Sequence, residues 1–203
     1  MAKNMQPIVK RCRALGISPA VMGYTEKSKR MSTKRNPGGQ RRAKKSEYAT
    51  QLNEKQKVKF IYGILEKQFR MYYEQAAKSS GITGEVLLST IERRLDNVVY
   101  RLGLANTRRE ARLLVNHGHF TVDGRKVNIP SFLVKPGMVI GVKQSSRELP
   151  KFKELMEPDA FRAVPKWLAY DTNSGTAKVT ALPARDDIDY EVEEHLIVEL
   201  YSK

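Results

Sequence analysis

Arginine is concentrated on one short predicted helix in the middle of the chain. Residues 107–127 read TRREARLLVNHGHFTVDGRKV. Thr107 and Glu110 have the spacing of a capping box, in which the cap hydroxyl and the carboxylate satisfy early backbone N–H groups. The apolar stripe of this helix then leaves Arg108, Arg109 and Arg112 predicted to face outward. Guanidinium groups beside a helix N-terminus suit a phosphate ligand, since the helix dipole adds to their charge.

The elements around this helix predict a small two-layer module. The preceding stretch, TGEVLLSTIERRLDNVVYRLG, predicts one helix capped by Thr83, with Arg94 and Arg101 on a shared face. The following stretch, FTVDGRKVNI, alternates around Asp123-Gly124 and predicts a hairpin with a type I′ turn. SFLVKPGMVIGVK predicts a second strand pair. Two helices and an antiparallel sheet would bury one common core.

The net charge of +15 is unevenly distributed and indicates a polyanionic partner. Residues 1–45 contain thirteen Lys or Arg against one acid, Glu26, a net of +12 that leaves +3 for the other 158 residues. This segment is interpreted as an extended basic arm, either a solvated tail or an arm that orders against phosphates. The density of charge favours the second interpretation.

A helical segment is predicted after the arm. Ser46 can cap a helix whose apolar residues recur every three or four positions through residue 76, while Gly63 weakens the prediction of one unbroken helix. The aromatic residues of this face are interpreted as core. Lys55, Lys57 and Lys59 fit a solvated face and a phosphate contact equally well.

The basic side chains predicted to contact a nucleic acid or another polyanion lie in the arm, in the helical segment and in the module. They are Arg41, Arg42, Lys44, Lys45, Lys55, Lys57, Lys59, Arg93, Arg94, Arg101, Arg108, Arg109, Arg112, His117, His119, Arg125 and Lys126.

Other functional classes lack the residues that they need. His117 and His119 have no third ligand nearby, and Cys12 is the one cysteine, so no metal site is predicted. No nucleotide-binding or zinc-protease motif is present, so no catalytic residue and no cofactor are predicted. No apolar run is long enough to span a membrane, and no secretory signal is predicted.

The last third of the chain predicts a hairpin and an acidic end. WLAYDTNSGTAKVTALP alternates around a turn signal, and Trp167 is interpreted as packed rather than stacked on a base. Residues 186–199 read DDIDYEVEEHLIVE and hold seven acids without Lys or Arg. Residues 195–201 fit either a helix or a strand. An acidic surface of this kind would bind protein better than RNA.

Most of the chain resembles a known family. RRLDNVVYRLGLANTRREARLLVNHGHFTVDGRKVNIPSFLVKPGMVIGV resembles the RNA-binding module named after ribosomal protein S-four, and EYATQLNEKQKVKFIYGILEKQF and EHLIVELYSK resemble the bacterial members of that ribosomal family. The resemblance implies a cytoplasmic protein of the small ribosomal subunit that binds its 16S-type rRNA and nucleates assembly of the subunit body. It also implies contact with ribosomal protein S-five and with other small-subunit proteins, a role in translational accuracy, and a position near the channel through which mRNA enters. Some members bind zinc through cysteines in the arm, but this chain keeps only Cys12, so no zinc is expected.

The expected fold class is α+β, with the RNA-binding module inserted into a helical domain. The expected divisions are the arm at 1–45, the first part of the helical domain at 46–92, the module at 93–153, and a return segment at 154–203 that completes the helical domain. An RNA-modifying enzyme, such as a pseudouridine synthase, would need a catalytic domain for which the flanking segments are too short. A secondary role as an RNA chaperone or translational repressor stays open.

Overall fold

The computed structural model describes residues 6–24, 46–155, 164–171 and 174–202. The helices are α1 (Ile8–Leu15), α2 (Glu47–Tyr62), α3 (Glu66–Lys78), α4 (Thr83–Glu92), α5 (Leu95–Arg101), α6 (Arg108–His117), α7 (Gln144–Arg147), α8 (Pro150–Leu155) and α9 (Glu194–Ser202), with short 3₁₀-helices at Pro19–Met22 and Arg185–Asp187. The strands are β1 (Phe120–Val122), β2 (Arg125–Lys126), β3 (Val139–Val142), β4 (Leu168–Asp171) and β5 (Thr176–Val179).

The chain forms two compact units. The first comprises Met1–Leu87 and Asp189–Lys203, and the second comprises Leu88–Ile188. The second unit is wider than the module expected at 93–153, because the hairpin of β4 and β5 completes its sheet. The return to the helical unit accordingly begins near residue 189, later than the expected residue 154.

The first unit is built from helices whose ends follow local signals. The Ser46 hydroxyl accepts a hydrogen bond from the Ala49 N–H (3.2 Å), which confirms the predicted cap of α2. Gly63 ends α2 in the left-handed conformation (φ 63°), so the long helical pattern is divided into α2 and α3. Val58, Phe69 and Ala76 are buried, as their spacing predicts.

The chain end completes this first unit. Residues 195–201 are helical as part of α9, which resolves the alternative that the sequence left open. The Gln51 side chain of α2 donates to the Glu199 carboxylate of α9 (3.0 Å). A Cβ atom on Gly84 would lie 2.7 Å from Glu194 Cγ, so the absence of a side chain there permits the close approach of α9.

The second unit packs helices on an antiparallel sheet. Its strands follow the order β2-β1-β3-β5-β4, and Asp123 (φ 49°) and Gly124 (φ 76°) form the tight turn predicted between β1 and β2. Phe120, Phe152 and Trp167 are buried in the core between the layers. The expected α+β fold class and the packed position of Trp167 are thus confirmed.

The single helix predicted from residue 83 to residue 103 is wrong, because the chain leaves helical geometry at Arg93 and Arg94. The N–H groups of Leu95 and Asp96 donate to Phe132 O (2.8 Å) and Pro130 O (3.1 Å) instead of to the preceding helical turn. The same segment accounts for a second error. The first half of the predicted pair SFLVKPGMVIGVK is not a strand of the sheet, since it pairs with this break.

Candidate nucleic-acid interface

Beneath α6 lies a group of buried polar side chains that we term the buried charge network: Glu92, Asn97, Arg101 and Arg108. The Arg101 guanidinium donates to the Glu92 carboxylate at 2.7 Å, and Asn97 Nδ2 donates to the same carboxylate. Arg108 Nε donates to Asn97 Oδ1 (2.8 Å). The Arg108 guanidinium also lies 4.3 Å from the centroid of the Tyr100 ring. The network therefore joins α4, α5 and α6 through charge-assisted hydrogen bonds.

Three arginines predicted to face RNA are buried instead. Arg94 is fully buried and forms two hydrogen bonds with Asp96, from Nε at 3.0 Å and from a terminal nitrogen at 2.6 Å. Arg101 and Arg108 belong to the buried charge network, with 8% and 5% of their surfaces exposed. The predicted outward orientation of Arg108 is thus wrong, and the burial of Arg94 and Arg101 leaves little of their surface for the RNA contact predicted for them. Each guanidinium finds an acidic, amide or aromatic partner within the unit, which offsets the cost of its burial.

The exposed side of α6 presents Arg109 and Arg112. Both are partly exposed, and they lie beyond the cap formed by Thr107, whose hydroxyl accepts from the Glu110 N–H (3.2 Å). The Glu110 carboxylate accepts from the Asn106 N–H (2.7 Å) and pairs with Lys151. Burial alone would raise the pKa of Glu110, but the bonds from Lys151 and from the backbone hold this pKa below its ordinary value. The capping prediction is therefore confirmed. The Glu110 carboxylate also accepts from the Asn106 N–H, one residue before the Thr107 N–H that a capping box uses.

Four basic side chains meet where α6 ends and the sheet begins, and we term them the histidine–lysine cluster: His117, His119, Lys126 and Lys143. The rings of His117 and His119 have centroids 6.1 Å apart. Lys143 lies opposite His119 across the β1–β3 pair, its N–H donating to His119 O at 2.8 Å. Burial, and then the charges of His117, Lys143 and Lys126, lower the pKa of His119. The cluster is a concentrated positive surface whose ligand would be an anion.

Lys143 was not predicted from the sequence. It directly follows β3, as His119 directly precedes β1, and the register pairs Phe120 with Val142. This register extends the strand pair by one position and sets His119 opposite Lys143. A prediction that Lys143 lies near His119 would have required knowing that two strands about twenty residues apart pair with each other.

Two further predicted residues lie elsewhere in the second unit. Arg125 is exposed on β2, at the edge of the sheet. Arg93 is partly buried, its Nε donates to Val134 O (2.9 Å), and burial lowers its pKa. Arg125 is thus positioned for an external anion, whereas Arg93 also holds the segment that interrupts the helices.

In the first unit, the three predicted lysines of α2 are paired with carboxylates. Lys57 contacts Glu54 (2.6 Å), and Lys55 contacts Glu66 (3.0 Å). Lys59 also pairs with Glu66. With Tyr201, whose hydroxyl donates to Glu66 (2.7 Å), the residues Lys55, Lys59 and Glu66 form what we term the Glu66 cluster. Its lysine charges are partly neutralised, so an RNA contact by α2 is less favourable than the sequence indicated.

The remaining predicted contacts, Arg41, Arg42, Lys44 and Lys45, lie outside the described residues. Within the described ranges, no helix is both long and apolar enough to cross a membrane. Across the same part of the chain, no three His, Cys, Asp or Glu side chains are grouped so that they could hold a metal ion.

Comparison with known proteins agrees with this architecture. Residues 93–140 match the family described as the S4 domain, and residues 3–92 match the family described as the ribosomal protein S4/S9 N-terminal domain. The small ribosomal subunit protein uS4 of Pelotomaculum thermopropionicum is 55% identical over 208 residues, covering 100% of both chains. The proteins of the same name from Clostridioides difficile and Agathobacter rectalis are 53% and 50% identical, also with 100% of both chains covered.

The chain belongs to the uS4 family. Membership confirms the resemblance on which the sequence analysis relied, and it makes the chain a structural, non-catalytic protein of the small ribosomal subunit. In bacteria this subunit is cytoplasmic. The S4 domain match covers α6, three members of the histidine–lysine cluster and three of the four residues of the buried charge network, whose Glu92 directly precedes the matched range. Lys143 lies just beyond the matched range.

Proposed function

We propose that this protein binds small-subunit rRNA of the 16S type, nucleates assembly of the subunit body, and contributes with ribosomal protein S-five to translational accuracy. The rRNA-binding part follows from uS4 family membership together with the basic S4 domain. The observation that carries the mechanism is the division of arginines in the second unit. Arg94, Arg101 and Arg108 are buried, whereas Arg109 and Arg112 are partly exposed on α6.

This division gives the interface both rigidity and charge. The buried charge network connects Arg108 of α6 to α4 and α5, so the helix that carries Arg109 and Arg112 is anchored before RNA arrives. A preorganised pair of guanidinium groups loses less conformational entropy on binding phosphates than a flexible pair. The arm at 1–45, with its net charge of +12, would add sequence-independent attraction. Binding by charge and shape, without chemistry on the RNA, is what an assembly protein requires.

The roles in assembly and accuracy rest on family membership and on the charge of the chain end. Residues 186–199 hold seven acids, and this stretch contains the start of α9. Acidic side chains repel RNA and suit a basic protein neighbour. We therefore propose that the first unit contacts protein S-five and other small-subunit proteins near this stretch. The basic charge elsewhere is compatible with a position near the channel through which mRNA enters.

The rRNA interface is tested by the salt dependence of binding. We expect the purified chain to bind a fragment of the 5′ domain of small-subunit rRNA with an affinity that falls steeply as salt rises. The double variant Arg109→Ala/Arg112→Ala should reduce the log–log slope by about 1.4 to 1.8, because each phosphate contact contributes about 0.7 to 0.9. The matched control is Arg70→Ala, an exposed arginine of α3 that pairs with Glu74 (3.1 Å) and should leave the slope unchanged. A double variant with the native slope would exclude these two side chains as phosphate ligands.

The assembly and accuracy roles need separate measurements. In reconstitution of the subunit from rRNA and purified proteins, omission of this chain should prevent the later proteins of the body from binding stably. Charge reversal of the acidic stretch at two exposed positions, by Glu191→Lys and Glu193→Lys, should raise misreading of a reporter mRNA while rRNA affinity is retained. Reconstitution that proceeds normally without the chain would contradict the assembly role. Unchanged misreading would contradict the proposed protein contact at this stretch.

A further inference from the structure

The histidine–lysine cluster differs from the lysines of this protein that pair with carboxylates. Lys55, Lys57 and Lys59 pair with carboxylates, as does Lys151. Among the residues that the structure describes, none of the four members of the cluster forms a salt bridge. His117, Lys126 and Lys143 are exposed, and His119 is partly exposed. The cluster is therefore a positive site without an internal counter-ion.

The cluster is held in place from several sides. His119 Nδ1 lies 2.9 Å from the Ser146 hydroxyl, and its ring packs 5.5 Å from the ring of Phe152, centroid to centroid. The Lys126 side chain crosses Gly118, where an added Cβ atom would lie 2.2 Å from Lys126 Cε and 3.0 Å from Lys126 Nζ. The glycine at this helix end thus permits Lys126 to reach the histidines. These contacts fix the His119 ring and place Lys126 beside the end of α6 before any ligand binds.

The charged groups that act on His119 all carry the same sign. They are His117 at the end of α6, Lys126 on β2 and Lys143 after β3, while the groups presented by α7 and α8 are the neutral Ser146 and Phe152. Burial and this repulsion disfavour the protonated ring, which lowers its pKa in the free protein. A phosphate that binds in the cluster would raise the pKa of His119, because an adjacent anion favours the imidazolium form. Binding and protonation would then be thermodynamically linked.

We propose that His117, His119, Lys126 and Lys143 form a site for one phosphate of the RNA backbone, and that His119 takes up a proton as the phosphate enters. The proposal rests on the rRNA-binding function and deepens it by adding Lys143 and a linked proton. Its consequence is an rRNA affinity that increases as pH falls through the histidine range. Linkage gives about a tenfold gain in affinity for each unit by which binding raises the pKa of the ring.

Proton uptake can be measured directly, because the chain has only three histidines. The Hε1 resonances of His117, His119 and His195, followed by NMR from pH 5 to pH 8, give each pKa with and without the 5′-domain rRNA fragment. We expect the resonance of His119 to titrate at higher pH when the RNA is bound, and that of His195 to stay unchanged. The variant Lys143→Met, which keeps an unbranched side chain without the charge, should raise the pKa of His119 in the free protein. An RNA complex in which His119 titrates as in the free protein would overturn the proposal.

Affinity measurements provide the second arm. We expect the native chain to bind the rRNA fragment about three- to tenfold more tightly at pH 5.5 than at pH 7.5 through this site. His119→Gln should remove that gain, and the matched variant His195→Gln should retain it. Titration with inorganic phosphate in place of RNA distinguishes two kinds of site. A general anion site would show a raised pKa of His119 at millimolar phosphate, whereas a site that needs the RNA backbone would not. A native pH dependence in His119→Gln would overturn the proposal and leave the rRNA-binding function intact. A native chain that binds no rRNA at any pH would remove both.

Discussion

The buried charge network of the second unit and the Glu66 cluster of the first unit both pair a glutamate with basic side chains. The two glutamates differ in how far they are exposed to solvent. In the network, Glu92 is fully buried and its partner Arg101 is 8% exposed. In the cluster, the Glu66 side chain is 47% exposed and its two lysine partners are 12% and 14% exposed. A buried charge has no water to replace a lost partner, whereas a half-exposed charge does. The two groups should therefore differ strongly in what the loss of one member costs.

The difference also separates two uses of basic residues in one RNA-binding protein. Arg101 and Arg108 hold helices in position, and Arg109 and Arg112 are partly exposed on α6. Sequence spacing alone treats Arg108 and Arg112 as neighbours on one face. Burial shows that only one of them lies where a phosphate can reach it.

The largest effect is expected from Glu92→Gln. Loss of the carboxylate charge leaves Arg101 buried without its ionic partner, which typically costs about 3 to 5 kcal/mol. The one tryptophan, Trp167, is buried in the core of the same unit, so its fluorescence during urea unfolding reports this unit. The matched control is Glu154→Gln, an exposed site on α8 of the same unit, which should change the free energy of unfolding by less than about 0.5 kcal/mol. Equal values for the two variants would show that the network is no more important to stability than a surface charge.

Arg108→Ala should have the next largest effect and separates stability from binding. It removes the hydrogen bond to Asn97 and the stacking on Tyr100, which together stabilise the unit by about 2 kcal/mol. Its unfolding midpoint should fall while the salt slope of rRNA binding stays native. Its neighbour Arg109→Ala should show the reverse, a native midpoint and a lower slope. A reduced slope in Arg108→Ala with native stability would return this residue to the RNA-facing set.

Local features of the fold could be predicted because their signals lie within a few residues. The caps at Ser46 and Thr107, the Asp123-Gly124 turn and the helix end at Gly118 each depend on short-range backbone hydrogen bonds. The break between α4 and α5 could not be predicted in this way. It depends on the carbonyl groups of Pro130 and Phe132, more than thirty residues away in sequence.

The candidate site was predictable only in part for the same reason. Composition identified the basic residues of the module, but no pattern showed that Arg94 would pair with Asp96 or Arg101 with Glu92. A neighbouring acid occurs beside many surface arginines as well. Lys143 was missed because its proximity to His119 depends on strand register. Burial in the folded unit and strand register, neither of which spacing reveals, therefore decided which cations are structural and which are exposed.

Effects of intermediate size are expected at the two helix caps, one in each unit. Ser46 in the first unit and Thr107 in the second each accept an N–H three residues ahead at 3.2 Å. Replacement by alanine should cost about 1 kcal/mol at either site, because one early N–H loses its partner. Native-state hydrogen exchange of the α2 and α6 amides measures the two effects separately. The Ser46→Ala effect should be confined to α2, and the Thr107→Ala effect to α6 and its unit. Exchange unchanged in α6 would show that Glu110 alone is a sufficient cap.

The smallest effect is expected from Glu66→Gln, and it depends on pH. Burial would raise the pKa of Glu66, but hydrogen bonds from Lys59, Tyr201 and Lys55 lower it from 4.5 to about 2. Because the folded state binds this proton less readily than the unfolded state, the carboxylate stabilises the fold above pH 4.5, and the contribution is lost as pH falls from 4.5 towards 2. The group is half exposed, so solvent screening reduces the contribution to about 1 kcal/mol at pH 7.

Thermal unfolding by circular dichroism between pH 2.5 and pH 7 tests this contribution. The Tm of the native chain should fall more on acidification than the Tm of Glu66→Gln. The two curves of Tm against pH should therefore converge near pH 2.5. Glu74→Gln is the matched control, since its carboxylate pairs on the surface of the same helix with exposed Arg70. The Tm of Glu74→Gln should follow that of the native chain at each pH, because an exposed ion pair contributes only about 0.5 kcal/mol to stability. A pH-independent difference between Glu66→Gln and the native chain would mean that Glu66 acts through packing with Tyr201 rather than through its charge. The contrast with the buried charge network would then be one of shape as well as of solvent exposure.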